Sequence, residues 1–440
     1  MLFKKEKNYE KIFDKTFKFF VGIFIFLIPW QARWIFYNWH IDGQLWEYGR
    51  LSIYASMIVL LLGALFFALS HKKELHFSKN KFFYVLFAYS VVVSLFSLVP
   101  VVSFWYLALL YMAALFAYMV KFIPKVVAFR MFLLSGLVQG GLALKQLFTQ
   151  QIFANKWLGI AEHLPETLGT SVVSLGDQRI LRAYGSLPHP NILGGFLFVA
   201  IFLGIYLWMN FYKKCAKDDW KKVLNKKHLV DFIFILTGII VASFGLLATF
   251  SRGALLALVL SIFSLLLINI FKRDWLVVNV VTKFGFLFLI IFLVFNSWWP
   301  GTWSSRVQAD NRLEQQSVEQ RVDTLDQLHW DSYKNIFFGQ GLGMNTYVTY
   351  QKNNPDNVFD SQPIHDIFIL MLAEVGMVGV LLLVNVVRLI IKEANQVDIM
   401  STSLILGLIV LGLFDHYLWT SWTGWLLMTL AFVNLYKHRG

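Results

Sequence analysis

The chain has 440 residues, of which 58% are hydrophobic and 15% are charged, and its formal net charge is +13 at pH 7. A water-soluble core does not need so much apolar surface, so this composition excludes a soluble globular enzyme. The positive charge is spread over polar loops, where membrane orientation and anionic lipid headgroups account for it, so no nucleic-acid partner is expected.

The apolar runs are continuous and lack the alternation typical of membrane strands. Each is close to the about 20 residues that a helix needs to cross the hydrocarbon layer. They predict an all-α polytopic membrane protein, with one integral membrane domain over residues 1–440. We count about twelve spans by this length criterion: 18–36, 51–70, 82–99, 101–120, 126–144, 192–211, 230–249, 253–271, 277–296, 367–387, 399–416 and 421–436.

The distribution of Lys and Arg predicts the orientation of these spans. With the N-terminus in the cytoplasm, the inner loops hold most of the Lys and Arg, whereas the outer loops hold more Asp and Glu than Lys and Arg. An even number of spans also leaves the C-terminus inside. The first span follows a basic stretch but has no small-x-small cleavage site, so we expect an uncleaved anchor. The predicted location is a membrane, with both termini cytoplasmic and membrane lipids as neighbours.

Two outer loops are too long to be simple turns: the first covers 145–191, and a large loop covers 296–364. Within the large loop, "SVEQRVDTLDQLHWDSYKNIF" (317–337) has apolar residues at helical spacing and predicts an amphipathic helix. The following "FGQGLGMNTY" predicts a turn at Gly339, Gly341 and Gly343, because glycine accepts backbone angles that other residues avoid.

Arginine and histidine side chains gather on the outer side. An arginine at the end of a span often only reaches for lipid phosphates, and a loop arginine is often only solvated, so no single position is decisive. Their joint placement on one face is not explained in this way. The candidates come from five separated segments: Arg179, Arg182 and His189 before span six, Arg252 between spans seven and eight, Arg306 and Arg321 in the large loop, His365 and Asp366 at span ten, and Asp415 and His416 at span eleven.

This set of residues suits a diphosphate and a hydroxyl. Arginine donates bidentately to phosphate and stays charged, and a histidine near its reference pKa can take a proton from an attacking hydroxyl. No nucleotide is available outside the membrane, so a transfer there needs a donor that is already activated, such as a lipid-linked sugar diphosphate. The lone Cys215 excludes a thiolate metal site, and no zinc-protease, Walker or serine-hydrolase motif is present. We therefore expect no cofactor and no metal.

Four motifs over about 176–380 together resemble the O-antigen ligase and O-antigen polymerase family. They are "RAYGSLPHPNILGGFL", "ATFSRGALLAL", the "R…W…GQGLGMNTY" pattern and "HDIFILMLAEVGMVG". The resemblance implies a metal-independent, inverting membrane glycosyltransferase. Such an enzyme lies in the bacterial cytoplasmic membrane and moves a glycan from undecaprenyl diphosphate to a glycan, lipid or protein acceptor.

The resemblance also implies roles for particular residues. Arg252, in the Ser-Arg-Gly turn, and His365, which opens span ten, match the residues usually held essential in the family. The family commonly has Asn after this histidine, whereas Asp366 stands here; a carboxylate could raise the basicity of His365 or orient its ring. The further candidates for binding the diphosphate or glycan are Arg179, Arg182, His189, Arg321, Asp366 and His416.

Two other classes of protein remain as alternatives. A lipid-linked glycan transporter would also need arginines for a diphosphate, but it predicts broken helices and a matching inner site. The spans read as largely uninterrupted, and the inner loops carry lysines instead. A scaffold protein gives no reason for Arg252 and His365 to share a face. Ligase, polymerase and protein oligosaccharyltransferase remain open, because the acceptor is chosen by surfaces that the sequence does not reveal.

Overall fold

A computed structural model describes residues 2–74, 81–217, 226–308, 333–353, 355–393 and 398–433. The described chain is mostly helical and has two small β-hairpins. Its elements are α1 (Leu2–Leu27), β1 (Arg33–Ile41), β2 (Gln44–Tyr54), α2 (Ala55–Ser70), α3 (Lys81–Leu95), α4 (Pro100–Val120), α5 (Lys125–Thr149), β3 (Val172–Leu175), β4 (Gln178–Leu181), α6 (Pro190–Lys217), α7 (Lys226–Ala248), α8 (Arg252–Phe271), α9 (Trp275–Trp298), α10 (Thr302–Gln308), α11 (Tyr333–Phe338), α12 (Asn345–Asn353), α13 (Ile367–Glu393), α14 (Ile399–Phe414), α15 (Tyr417–Thr420) and α16 (Trp422–Val433).

Among the described residues, seven helices are long and apolar enough to cross a membrane, namely α4–α9 and α13. Helices α2, α3, α14 and α16 are apolar but shorter. Each predicted span overlaps one of helices α1–α9, α13, α14 and α16. The multi-helix membrane architecture therefore agrees with the sequence, and the count of about twelve crossings stays a prediction.

Helix α6 is the centre of the bundle, because 94% of its apolar window is buried, against half or less for the other long helices. It packs against α5, α7, α8, α9, α14 and α16. Glycines allow this close packing: a Cβ on Gly136 would lie 2.5 Å from that of Ala200, and one on Gly140 would lie 2.5 Å from the carbonyl oxygen of Val241. Small residues at such contacts are what membrane helices use to approach one another.

The first predicted span, 18–36, is wrong at its C-terminal end. Helix α1 ends at Leu27, and the next residues form the antiparallel hairpin β1–β2, which also takes the first residues of the predicted span 51–70. The two-residue turn is Asp42-Gly43, with φ of 48° and 77°. Asp-Gly between β-favouring aromatic residues is a strong hairpin signal, which the apolar length of the segment masked.

The prediction of largely uninterrupted spans is also wrong at α13, which is broken at Gly376 (φ 64°, ψ 178°). The carbonyl oxygens freed near the break find other donors: Gln340 N–H donates to Ala373 (3.0 Å) and Gly341 N–H to Glu374 (2.9 Å). The predicted glycine turn is confirmed, with φ of 77°, 107° and 73° at Gly339, Gly341 and Gly343. Of the predicted amphipathic helix, only Tyr333–Phe338 is described as a helix; residues 309–332 lie outside the described ranges.

Thiol labelling of single cysteines tests the predicted orientation. In a background in which Ser replaces the buried Cys215, cysteines at Leu168 and Ser304 should react with a membrane-impermeant maleimide from outside intact spheroplasts. A cysteine at Lys272 should react only after the membrane is permeabilised. All three positions are exposed, so failure to react reports the side of the membrane and not burial. Labelling of the Lys272 position in intact cells would contradict the orientation.

Candidate functional site

A cavity of about 480 Å³ lies at one end of the helical bundle. It is bounded by the starts of α6, α8 and α13 and by the end of α14. Its size falls in the range of small-molecule sites in proteins. The lining residues are Asn191, Ser251, Arg252, Gly253, Leu256, Arg306, His365, Asp366, Leu411, Leu413, Phe414, Asp415 and Tyr417.

The backbone alone makes this cavity attractive to anions. Helices α6, α8 and α13 all begin at it, with Asn191, Arg252 and Asp366 in or beside their first turns. The first N–H groups of a helix have no partner within the helix, and the helix dipole gives that end a partial positive charge. Several of these N–H groups already donate to Ser251, Asp366 and His189, so it is the dipoles of the three helices that add positive charge at the cavity.

The Ser251–Gly253 turn holds Arg252 at the cavity wall. Phe250 has a φ of 49°, which reverses the chain between α7 and α8, and the Ser251 hydroxyl caps α8 by accepting from the Ala254 N–H. The carbonyl oxygen of Phe250 accepts from both Nε and Nη2 of Arg306 at 3.3 Å. Arg306 is only 8% exposed, and its own carbonyl oxygen accepts from Nη1 of Arg252 at 3.0 Å. Each arginine thereby helps to fix the segment that carries the other.

Arg182 lies behind the cavity wall and supports it. Its Nε donates to the carbonyl oxygen of Thr249 (2.8 Å) and its Nη2 donates to Oδ1 of Asn191 (2.6 Å). Asn191 lines the cavity, and its Nδ2 donates to Oδ2 of Asp415 at 2.7 Å. The guanidinium therefore joins the turn before α8 to the start of α6 and, through Asn191, to the end of α14.

Two buried glutamines of α5 fix the segment that carries Arg182. Oε1 of Gln146 accepts from the N–H groups of Tyr184 (2.9 Å) and Gly185 (2.8 Å). Gln139 contacts Ser186 through both its oxygen and its nitrogen, each at 2.8 Å. Gly185 has a φ of 60°, and a Cβ there would lie 2.5 Å from the Gln139 oxygen, so this tight approach requires glycine.

Three imidazoles surround the carboxylate of Asp415. The ring of His365 meets that of His416 edge to face at 5.4 Å, and Nδ1 of His416 hydrogen-bonds to Oγ1 of Thr420 at 2.8 Å. Nε2 of His189 hydrogen-bonds to Oγ of Ser171 at 3.2 Å. Burial alone would raise the pKa of Asp415, but the three histidines and the Asn191 amide lower it. The site thus pairs one carboxylate with several proton acceptors.

Two of these histidines should make the protein sensitive to acid. Burial lowers the pKa of His189 to about 3 and of His416 to about 4, so the unfolded chain binds more protons than the folded one below the ordinary value of 6.5. The contribution of these two histidines to the free energy of unfolding should be complete above pH 6.5. It should decrease progressively as the pH falls toward 4. Thermal unfolding followed by tryptophan fluorescence measures this, and His189→Gln should flatten the dependence. An unchanged pH dependence in that variant would contradict the assignment.

Asp366 is the N-cap of α13. Its Oδ1 accepts from the N–H groups of Phe368 (2.8 Å) and Ile369 (3.2 Å). Asparagine and aspartate are equally good at this position, so the Asp366 side chain fits the structure in the same way that the more usual Asn would. The hydrogen bonds of the Asp366 side chain are therefore with the first turn of α13, directly after His365.

The structure brings most of the sequence-predicted site residues together. Arg252, His365 and Asp366 line the cavity, and Arg182, His189 and His416 lie directly behind it. Arg179 does not join them: it is exposed on β4 and donates to the carbonyl oxygen of Pro165 at 2.7 Å. Arg321 lies outside the described residues. The roles of these residues stay predictions.

Sequence reasoning assigned no role in the site to several residues that line the cavity: Asn191, Ser251, Arg306, Asp415 and Tyr417. Arg306, in the predicted large loop, and Asp415, at the end of predicted span eleven, were named only as members of the polar group on the outer face. Nothing in the sequence distinguished them from ordinary interfacial residues, because their significance comes from contacts with distant segments.

Comparison with known proteins agrees with the motif-based resemblance. A family model described as O-antigen ligase matches residues 237–384, which include Arg252, Arg306 and His365 and leave out the segment that carries Arg182 and His189. No curated protein matches the chain. Among the described residues, no group of His, Cys, Asp and Glu is arranged to hold a metal ion. Residues 237–384 of this helical membrane chain therefore form a domain of the O-antigen ligase family.

Proposed function

We propose that this protein transfers a glycan from a polyprenyl diphosphate carrier to an acceptor hydroxyl at the outer face of the cytoplasmic membrane. The observation that carries the proposal is the shared cavity of Arg252, Arg306 and His365, at the meeting point of three helix starts. The arginines and helix dipoles supply positive charge for a diphosphate, and the imidazole supplies a base. The O-antigen ligase domain supports this class of substrate.

The wall of the cavity supports a donor that is anchored in the bilayer. Leu256 on α8 and Leu413 and Phe414 on α14 line the cavity, yet each is also substantially exposed on the bundle surface. An apolar wall with this double exposure suits a hydrocarbon chain that leaves the cavity toward the lipid. In this proposal the polyprenyl tail runs past these residues, while the diphosphate stays beside Arg252.

The proposed reaction is a direct displacement at the anomeric carbon. The acceptor oxygen attacks that carbon, His365 takes the hydroxyl proton, and the bond between the anomeric carbon and the phosphate oxygen breaks with inversion. The electron pair of that bond leaves with the diphosphate. Arg252, Arg306 and the helix N-termini stabilise the negative charge that develops there, an effect that is usually large in a site with little water. Asp415, held by Asn191, favours the protonated imidazole that follows.

A transfer assay tests the proposal. Purified protein in nanodiscs is incubated with a polyprenyl-diphosphate-linked glycan and with candidate glycan, lipid or protein acceptors. Glycan covalently attached to one acceptor class, with release of polyprenyl diphosphate, is the expected result, and it should persist in EDTA. Movement of the intact lipid between leaflets without any transfer would instead indicate a transporter.

The break in α13 does not favour the transporter alternative, although broken helices are typical of that class. The break at Gly376 is filled by the protein's own Gly339–Gly341 turn and by Tyr89, whose hydroxyl donates to the carbonyl oxygen of Val375 at 2.5 Å. Gly376 is not among the residues that line the cavity. The freed backbone groups are thus used for packing and not for coordinating a transported group.

A further inference from the structure

Glu374 is a buried carboxyl group for which the proposed reaction has no use. It is 3% exposed and lies nine residues beyond His365 on α13, about 13 Å along the helix axis. It does not line the cavity. A buried carboxyl group is costly unless hydrogen bonds compensate for the lost water, so its partners indicate what it does.

All the partners of the Glu374 carboxyl group are donors. Its Oε2 accepts from Nε1 of Trp419 at 2.8 Å, and the group also accepts from the backbone N–H groups of Gly343 and Asn345. An amide in its place would have only one acceptor oxygen and would turn an NH₂ group toward a donor. The site is therefore built for a carboxyl group.

The contact between Glu374 and Asn345 fixes the backbone before His365. Residues 339–345 are anchored in the break of α13, and a Cβ on Gly339 would lie 2.3 Å from the Glu374 carbonyl oxygen. At the end of this segment, Oδ1 of Asn345 accepts from the N–H of Ile364 at 3.2 Å. Ile364 immediately precedes His365. Glu374, through Asn345, thus sets where the chain carries the His365 ring.

The contact between Glu374 and Trp419 fixes the segment that carries His416. Trp419 lies in the short helix α15, and its backbone N–H donates to the carbonyl oxygen of His416 at 2.9 Å. Trp419 is 3% exposed, so its indole has little freedom once it is bound to Glu374. The same carboxyl group therefore holds both segments whose imidazoles meet at 5.4 Å.

We infer that Glu374 is a positioning residue for the His365–His416 pair: it ties the two segments together so that the base meets the acceptor hydroxyl in a fixed geometry. The inference rests on the proposed function for what His365 does, but the structural link does not. A misplacement of about 1 Å at such a base is enough to lower a rate substantially. Donor binding should be spared, because Arg252 and Arg306 have no part in the link.

The variant Trp419→Phe tests the link with the smallest change, since it removes one N–H donor and keeps an aromatic ring. We expect kcat to fall about tenfold or more while the KM for the lipid-linked donor stays within about twofold. Glu374→Gln should show the same split with a larger loss of kcat. Trp422→Phe is the matched control: Trp422 is 2% exposed, and its indole donates to Ser56 of α2 at 3.2 Å and not to Glu374. It should stay close to wild type.

A second measurement separates this inference from the proposed function. Carbethoxylation by diethylpyrocarbonate, read at His365 and His416 by peptide mass spectrometry, needs no activity. Its rate at these two histidines should change at least about twofold in Trp419→Phe and not in Trp422→Phe, since the imidazoles would sit differently. If wild type transfers no glycan, the proposed function fails while the labelling still tests the link. Unchanged labelling, or equal kinetic losses in both tryptophan variants, would overturn the inference.

Discussion

Replacing Arg252 with lysine should lower glycan transfer by about one to two orders of magnitude while the protein still inserts and folds. Lysine keeps the charge but loses the planar fork that binds a diphosphate at two points, and its single ammonium group cannot hold the Arg306 carbonyl oxygen and the diphosphate in the fixed geometry of a guanidinium. A charge-assisted hydrogen bond is worth about 1.5–3 kcal/mol, and each 1.4 kcal/mol of barrier is tenfold in rate. Initial rates with purified protein, at equal folded concentration, measure the effect. Arg252→Ala should be lower still.

Arg179→Lys is the matched control for this experiment. Arg179 is also an arginine of the same end of the bundle, but it is exposed and bonded to the Pro165 carbonyl oxygen, away from the cavity. It should retain wild-type transfer. If Arg252→Ala transfers glycan as fast as wild type, Arg252 is only an interfacial arginine, and the proposal that it binds the diphosphate is wrong.

Replacing His365 with alanine or glutamine should lower kcat by about two to four orders of magnitude, the usual contribution of a general base. Binding of the donor should be retained, because the diphosphate is held by Arg252 and Arg306 in this proposal. The wild-type rate should rise with pH as the base loses its proton. The pKa of His416 is lowered to about 4 and that of His189 to about 3. Neither changes charge between about pH 5.5 and 8, so these two histidines do not account for a rise in that range.

Two further variants sharpen this test. Exposed His40 on β1 serves as the control, and His40→Ala should keep both the rate and its pH profile. Asp366→Asn should stay active, because asparagine preserves the cap of α13. Weakened donor binding together with a pH-independent residual rate in His365→Gln would show that His365 binds the sugar. Full activity in His365→Ala would rule out both roles.

Part of the site could be predicted because membrane proteins restrict where charge is tolerated. Arg252 and His365 stood out as polar residues at the ends of long apolar runs, and the positive-inside distribution assigned them to one face. Their presence in one cavity agrees with that reasoning. Arg179 satisfied the same criteria and lies elsewhere, because a shared membrane face does not specify lateral position among the helices.

The hairpin β1–β2 and the break at Gly376 show where pattern reasoning failed. Both segments are apolar enough to be read as membrane helix, since hydropathy averages over a window and is insensitive to single residues. The Asp42-Gly43 pair carried a local signal for the hairpin. Gly376 carried none that could be separated from the other glycines of the chain, because its angles are stabilised by the Gly339–Gly341 turn, about 35 residues earlier in the sequence.

Local composition, apolar length and short motifs were enough to predict the helical membrane class, the polar segments that reach the cavity and the resemblance to the O-antigen ligase family. The packed structure was needed to show that Arg306, Asn191 and Asp415 join Arg252 and His365, and that Arg182 supports the cavity wall instead of lining it. The difference lies in how far apart along the sequence the contacting residues are. Apolar length and motif spacing are properties of neighbouring residues, whereas the Asn191–Asp415 and Glu374–Trp419 contacts join residues 224 and 45 positions apart, which only the packed bundle brings together.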